Sequence, residues 1–176
     1  MPAARMIKAD LQTASREAAQ QQFGAICYRS CDTGKACDTG KDGVEVLLIT
    51  SRDTGRWVIP KGWPMGNKKS HAVAQREAYE EAGAKGHVSK KSTGSYVYDK
   101  RLKDGSSVVC EVQVFLLQVH DMLGDYPEKG ARSLAWVTCD EAARRVQEPD
   151  LKRLFLHLSA NPPKIRPPKL PISADD

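Results

Sequence analysis

Apolar residues in this chain alternate with polar ones in some stretches and recur every three or four positions in others, and the two periods predict different elements. Residues 25–29, 44–52 and 57–60 read as strands, the last two joined by the turn Asp53-Thr54-Gly55. Residues 95–102 and 107–120 read as two more, separated at Asp104-Gly105. In the longer of these, Cys110, Val112, Val114 and Leu116 fall on one face, with Glu111 and Gln113 on the other. A further strand at 133–137 precedes Thr138-Cys139-Asp140-Glu141, a capping-box pattern that predicts a helix through Val146. Behind Pro149, Leu151, Leu154, Phe155 and Leu158 repeat at helical spacing and predict an amphipathic helix docked on the core. Between these two pairs of strands lies a helix expected to start with Ser70 as its N-cap and to stop at Gly83, where a left-handed residue costs little. The elements together predict a mixed α/β fold.

The 176 residues, 40% of them apolar, suffice for one domain with a real core. No apolar run approaches the roughly 20 residues that span a bilayer, and residues 1–22 lack the apolar stretch of a secretory signal. The expectation is a cytoplasmic protein that does not enter a membrane. The odd set Cys27, Cys31, Cys37, Cys110 and Cys139 contains no C-x-x-C pair, so free thiols are expected rather than a disulfide framework or a zinc site. Residues 31–42 hold a tandem Cys-Asp-Thr-Gly-Lys repeat, read as a lengthened hairpin loop. The proline-rich residues 161–176 are expected to form an extended or disordered tail, whose Pro168-Lys169-Leu170-Pro171 matches a loose polyproline pattern. The organisation is thus an N-terminal extension (1–23), a domain (24–160) and a tail (161–176).

A net charge of +5 favours anionic partners without choosing among nucleotides, inositol polyphosphates and RNA. The informative chemistry lies on the helix after Gly62. Glu77, Glu80 and Glu81 sit at i, i+3 and i+4, so at about 100° per residue their carboxylates fan over roughly a third of the helix. Like charges at this spacing repel, and two of the three stand in the last turn, where the helix dipole disfavours them. A hard cation among the three removes that penalty, because Mg²⁺ and Mn²⁺ take oxygen ligands from carboxylates, water and phosphates. The competing reading of the triplet alone is a solvated acidic face.

The surroundings decide between them. Gly62, followed at the right distance by Arg76-Glu77-Ala78-Tyr79-Glu80-Glu81-Ala82-Gly83-Ala84, resembles the box of the Nudix hydrolase family. Two features depart from that box: Lys68 occupies the position of its isolated glutamate, and both aliphatic positions are small, Ala78 and Ala84. The resemblance implies a Nudix α/β/α sandwich with a mixed sheet and metal-dependent hydrolysis of a diphosphate linked to another moiety. It also implies Glu80 and Glu81 as metal ligands, Glu77 as ligand or base, the Gly62 carbonyl as a contributor and Arg76 as the partner of a box carboxylate, with Mg²⁺ or Mn²⁺ as cofactor. A further acid or base outside the box is usual in the family. Glu111 and Glu128 are the nominees here, each otherwise an ordinary exposed carboxylate.

Arg29, Arg52, Lys61 and Lys68 are candidates for gripping substrate phosphates, Lys61 being best placed because it precedes the box. Pro60-Lys61-Gly62, Asp125-Tyr126-Pro127-Glu128-Lys129 and Trp136 resemble the subgroup acting on diphosphoinositol polyphosphates and diadenosine polyphosphates. Lys68, Lys69, Lys85, Lys90, Lys91, Lys100 and Arg101 add positive charge suited to such ligands. Two alternatives remain at this point: a Nudix domain that binds a phosphorylated ligand but hydrolyses little, motivated by Lys68, and a hydrolase removing pyrophosphate from RNA 5′ ends, motivated by the basic balance.

Overall fold

The computed structural model describes residues 18–31 and 43–167. The Asp-Thr-Gly-Lys stretches of the tandem repeat, the start of the N-terminal extension and the Pro168–Pro171 motif lie outside the described residues. Seven strands form one mixed sheet: β1 (Gln20–Ser30), β2 (Val44–Thr50), β3 (Trp57–Val58), β4 (Lys61–Gly62), β5 (Ala84–Arg101), β6 (Ser107–Met122) and β7 (Leu134–Thr138). Three helices accompany them among the described residues: α1 (Ser70–Ala82), α2 (Cys139–Arg145) and α3 (Pro149–Ala160). Strand β1 lies at the centre, parallel to β6 and antiparallel to β2 and β4; β5 and β6 form a long antiparallel pair, and β7 pairs with β2.

The pleat divides the core in two, because successive side chains of a strand face opposite ways. Ala25, Cys27, Leu47, Ile49, Phe115 and Leu117 meet α1, whereas Ile26, Tyr28, Val46, Leu48, Val112 and Val114 meet α2 and α3. On α1 the residues turned to the sheet are Ala74, Ala78 and Ala82, all fully buried. These small side chains let the helix axis come close to the strands, so the carboxylates beside them on the same helix reach the sheet's backbone. Ala78, a departure from an aliphatic position in the sequence pattern, therefore has a packing role. On the other side Phe155 is completely buried beside Leu151 and Leu158. Phe155→Ala is expected to cost about 3–5 kcal/mol, read as a lowered urea midpoint with an unchanged slope.

Several boundaries differ from the periodic reading. The N-cap of α1 is Lys69, with extended backbone and no side-chain cap, and Ser70 is already helical. The carbonyl of Lys69 accepts from the amides of Ala72 and Val73, so the hydrogen-bond ladder starts one residue before the serine can cap it. Strand β5 begins at Ala84 rather than near residue 95, because register shifts between Lys85 and Gly86 and between Val88 and Gly94 break its alternation. Strand β1 starts at Gln20, inside the stretch assigned to the N-terminal extension, and places Gln22 in the interior. Thr138 does cap α2, its hydroxyl accepting from the Glu141 amide at 3.2 Å, and Gly83 does end α1 in the left-handed conformation (φ 66°). Cys27, Cys110 and Cys139 are free and buried. Cys31 is disulfide-bonded, which corrects the expectation of free thiols at the point where β1 leaves the sheet.

Candidate metal and phosphate site

The site is assembled where the C-terminal half of α1 crosses β4. Glu77 and Glu81 are buried and Glu80 is partly exposed, its carboxylate 2.5 Å from Arg76 Nε. Gly62 leaves room for Glu77: a Cβ built on Gly62 stands 2.1 Å from Glu77 Oε1 and 2.2 Å from its Cδ. Glu81 is held at both oxygens, Oε2 accepting from the Lys61 amide at 3.3 Å and Oε1 from Arg132 Nη2 at 3.2 Å.

The loop between β6 and β7 closes against the end of α1. The Leu123 amide donates to Gly83 O (2.8 Å) and the Glu128 amide to Glu80 O (3.0 Å). Tyr126 lies so close to Gly83 that a Cβ there would stand 2.5 Å from its ring. Glu128 is thereby brought to the box carboxylates and paired with Arg52 (3.1 Å) and Arg132 (3.5 Å). Burial, then the neighbouring carboxylates Glu81, Glu80 and Glu128, push the Glu77 carboxyl up to about 7. Burial likewise raises Glu81 to about 7 against the opposing pull of Arg132 and Lys61.

Among the described residues no three His, Cys, Asp or Glu side chains stand already converged as a ligand set. Arg76 pairs with Glu80 and Arg132 with Glu81. The residues nevertheless fit a divalent cation. The donors are all hard oxygens, and the Gly62 cradle leaves a carboxylate the space that a Cβ would otherwise take. A carboxylate with a raised folded-state pKa binds more protons folded than unfolded between pH 4.5 and about 7. Stability without metal should therefore fall as pH rises through that window. Thermal melts in a chelator are expected to lose several degrees between pH 5 and 7.5, and saturating Mn²⁺ should abolish the slope.

On the opposite face of the sheet, Lys61 turns its amine toward the Tyr98 ring, 5.1 Å from the centroid. Arg56 lies 5.8 Å from the same ring, and Lys100 stands 5.7 Å from the half-exposed Trp63. Burial lowers the Lys61 amine to about 8, with Glu81 and Glu148 opposing the drop and Arg56 and Lys100 adding to it. Below these cations, Tyr98 donates to buried Gln22 at 2.6 Å, and Arg56 is paired with buried Glu148.

Of the residues singled out from sequence, the structure gathers Gly62, Glu77, Glu80, Glu81, Arg76, Glu128, Arg52 and Lys61. Three others have partners outside this group. Arg29 stacks on Trp136 at 4.0 Å and pairs with Glu45 toward the far end of β1. Glu111 accepts from the Ser95 hydroxyl, and Lys68 is exposed in the turn before α1, its amide bonded to Met65 O. Arg132, Arg56 and Glu148 were not anticipated. Arg132 meets Glu81 51 residues away and Arg56 meets Glu148 92 residues away; only the spacing of Arg132 from Glu128 is local.

Comparison with known proteins identifies the family. Residues 36–158 match the family model described as NUDIX domain. The chain is 29% identical to Nudix hydrolase 16, mitochondrial, of Arabidopsis thaliana, over 76% of this chain and 80% of that protein. It is 27% identical to mouse diphosphoinositol polyphosphate phosphohydrolase 3-alpha, over 77% of this chain and 74% of that one. Among solved structures, a C. elegans Ap4A hydrolase binary complex superposes with a TM-score of 0.56 at 20% identity, over 81% of this chain and 97% of that chain. The motif, the sandwich and the family match converge: this chain belongs to the Nudix hydrolase family.

Proposed function

We propose that the protein is a metal-dependent pyrophosphohydrolase that cleaves a phosphoanhydride bond in dinucleoside polyphosphates or diphosphoinositol polyphosphates. The observation that carries the reading is the junction at Lys61. Its backbone amide holds Glu81 on the acidic side of the sheet edge, and its amine joins Arg56 and Lys100 on the other. An acidic cradle suited to a divalent cation thus adjoins a cluster of cations suited to phosphates, which is the pairing a polyphosphate substrate needs. Relatives named as a diphosphoinositol polyphosphate phosphohydrolase and an Ap4A hydrolase support the substrate class.

In this reading Glu77, Glu80, Glu81 and the Gly62 carbonyl hold Mg²⁺ or Mn²⁺. The ion supplies Lewis-acid neutralisation of charge on the phosphoryl oxygens. The chain does the rest. Lys61, Arg56 and Lys100 grip the phosphates that are not being cleaved and orient the chain of anhydrides along the cradle. Glu77 serves in this reading as a ligand or as the base that takes a proton from the attacking water. Arg52 and Arg132 pair both oxygens of Glu128, which fits that residue for a charge-setting role more than for proton transfer. The protein is taken to act in the cytoplasm; no described helix is long and apolar enough to cross a membrane.

A panel of diadenosine polyphosphates, diphosphoinositol polyphosphates and 5′-triphosphorylated RNA, each with Mg²⁺ and with Mn²⁺, tests the assignment by product mass. Turnover of a member of the first two classes is the expected result. Binding without turnover throughout would favour a ligand-binding domain, and selective action on RNA would favour 5′-end processing.

A further inference from the structure

Arg132 belongs to neither the box nor any helix or strand, yet it is among the most firmly mounted side chains at the site. The neighbouring backbone is fixed where β2 meets β7: Thr50 N donates to Ser133 O at 3.0 Å, and Ser133 N donates to Thr50 Oγ1 at 2.9 Å. The guanidinium spends Nη1 on the Thr50 carbonyl at 3.0 Å. That leaves Nη2 between two carboxylates, 3.2 Å from Glu81 Oε1 and 3.5 Å from Glu128 Oε2, with the side chain only 10% exposed.

A buried ion pair of this kind could serve simply to tie the β6–β7 loop to α1. That tie already exists in the backbone, through Leu123 to Gly83 and Glu128 to Glu80. The arginine also leaves its buried Nε without a partner, which costs free energy. Its orientation is therefore set by the two Nη groups and not by its own full satisfaction. The beneficiary is Glu81, whose other oxygen is held by the Lys61 amide. A carboxylate gripped at both oxygens from two separate elements, β4 on one side and the β2–β7 junction on the other, has its plane fixed.

We propose that Arg132 is a positioning residue for the metal cradle: it fixes the plane of the Glu81 carboxylate and draws the loop carboxylate Glu128 in beside it. The inference rests on the metal-dependent reading above. It requires a planar fork, because one group must serve a carbonyl and two carboxylates in fixed directions. Lysine offers a point charge and no plane.

Calorimetric titration of Mn²⁺ into the metal-free full chain tests this with wild type, Arg132→Ala, Arg132→Lys and Glu81→Gln, each checked for its unfolding midpoint. Arg132→Ala is expected to weaken Mn²⁺ binding by roughly 10–100-fold, and Arg132→Lys to recover little of it. Guanidinium, added far below unfolding concentrations, should restore binding to the alanine variant and leave wild type unaffected. If the alanine variant does not fold, the lysine variant, which keeps the charge, carries the comparison. Unchanged or tighter Mn²⁺ binding in the folded Arg132 variants would overturn the proposal, as would a lowered midpoint with no guanidinium rescue. Should Glu81→Gln also bind Mn²⁺ like wild type, the failure belongs to the metal assignment itself. Loss of binding in Glu81→Gln alone confines the failure to Arg132.

Discussion

Replacing Glu80 by glutamine should lower turnover by about a hundredfold or more while the unfolding midpoint moves little. Glu80 is the box carboxylate with the least structural employment. Its side chain is 31% exposed, and its one ion pair is with Arg76 on the next turn, itself 48% exposed. Exposed pairs of this kind contribute about 0–1 kcal/mol, and glutamine keeps the shape and a hydrogen-bonding oxygen. The charge is what disappears, and a divalent cation needs that charge. Steady-state rates with Mg²⁺ alongside a thermal melt separate the two effects, and undiminished turnover would remove Glu80 from the cradle.

Gly62→Ala is expected to produce a loss of similar size by a different route. The added methyl would stand 2.1 Å from Glu77 Oε1, well inside contact distance. Glu77 is buried beside the alanines of α1 and has little room to retreat. Either the carboxylate swings out of the cradle or β4 moves away from α1, at about 1–3 kcal/mol for the overpacking. Both displace a cradle oxygen, so turnover should fall by roughly a hundredfold, since placement errors near 1 Å cost that much. Gly124→Ala is the matched control, because a Cβ there meets nothing within 4 Å. Equal activity in the two variants would show that Glu77 does not need the space Gly62 leaves.

The carboxylate triplet, the stop at Gly83, the cap at Thr138 and the amphipathic α3 were all readable from the sequence, because each is a local pattern of spacing and residue type. Strand β5 was read ten residues too short. Its bulges interrupt the period-two alternation, and as an edge strand it carries lysines where an interior strand would carry apolar residues. Gln22 was missed because a glutamine-rich stretch reads as surface; its burial depends on a hydroxyl 76 residues away, that of Tyr98. The cationic cluster was only partly visible: Lys61 stood out by its place before Gly62, whereas Arg56 needs Glu148 and the Tyr98 ring to define its position. Arg132 had no signal beyond its spacing from Glu128, since the pairing of β7 with β2 and the closure of the β6–β7 loop create its surroundings.

The central claim, metal-dependent attack of water on phosphorus, is tested most directly by turnover in ¹⁸O-enriched water. The substrates would be a diadenosine polyphosphate and a diphosphoinositol polyphosphate, each with Mg²⁺ or with chelator, and the products would be weighed. The expected result is one ¹⁸O in a phosphate-bearing product, appearing with Mg²⁺ and vanishing with chelator. Label appearing equally in chelator, or a bound substrate that is never cleaved with either Mg²⁺ or Mn²⁺, would contradict it.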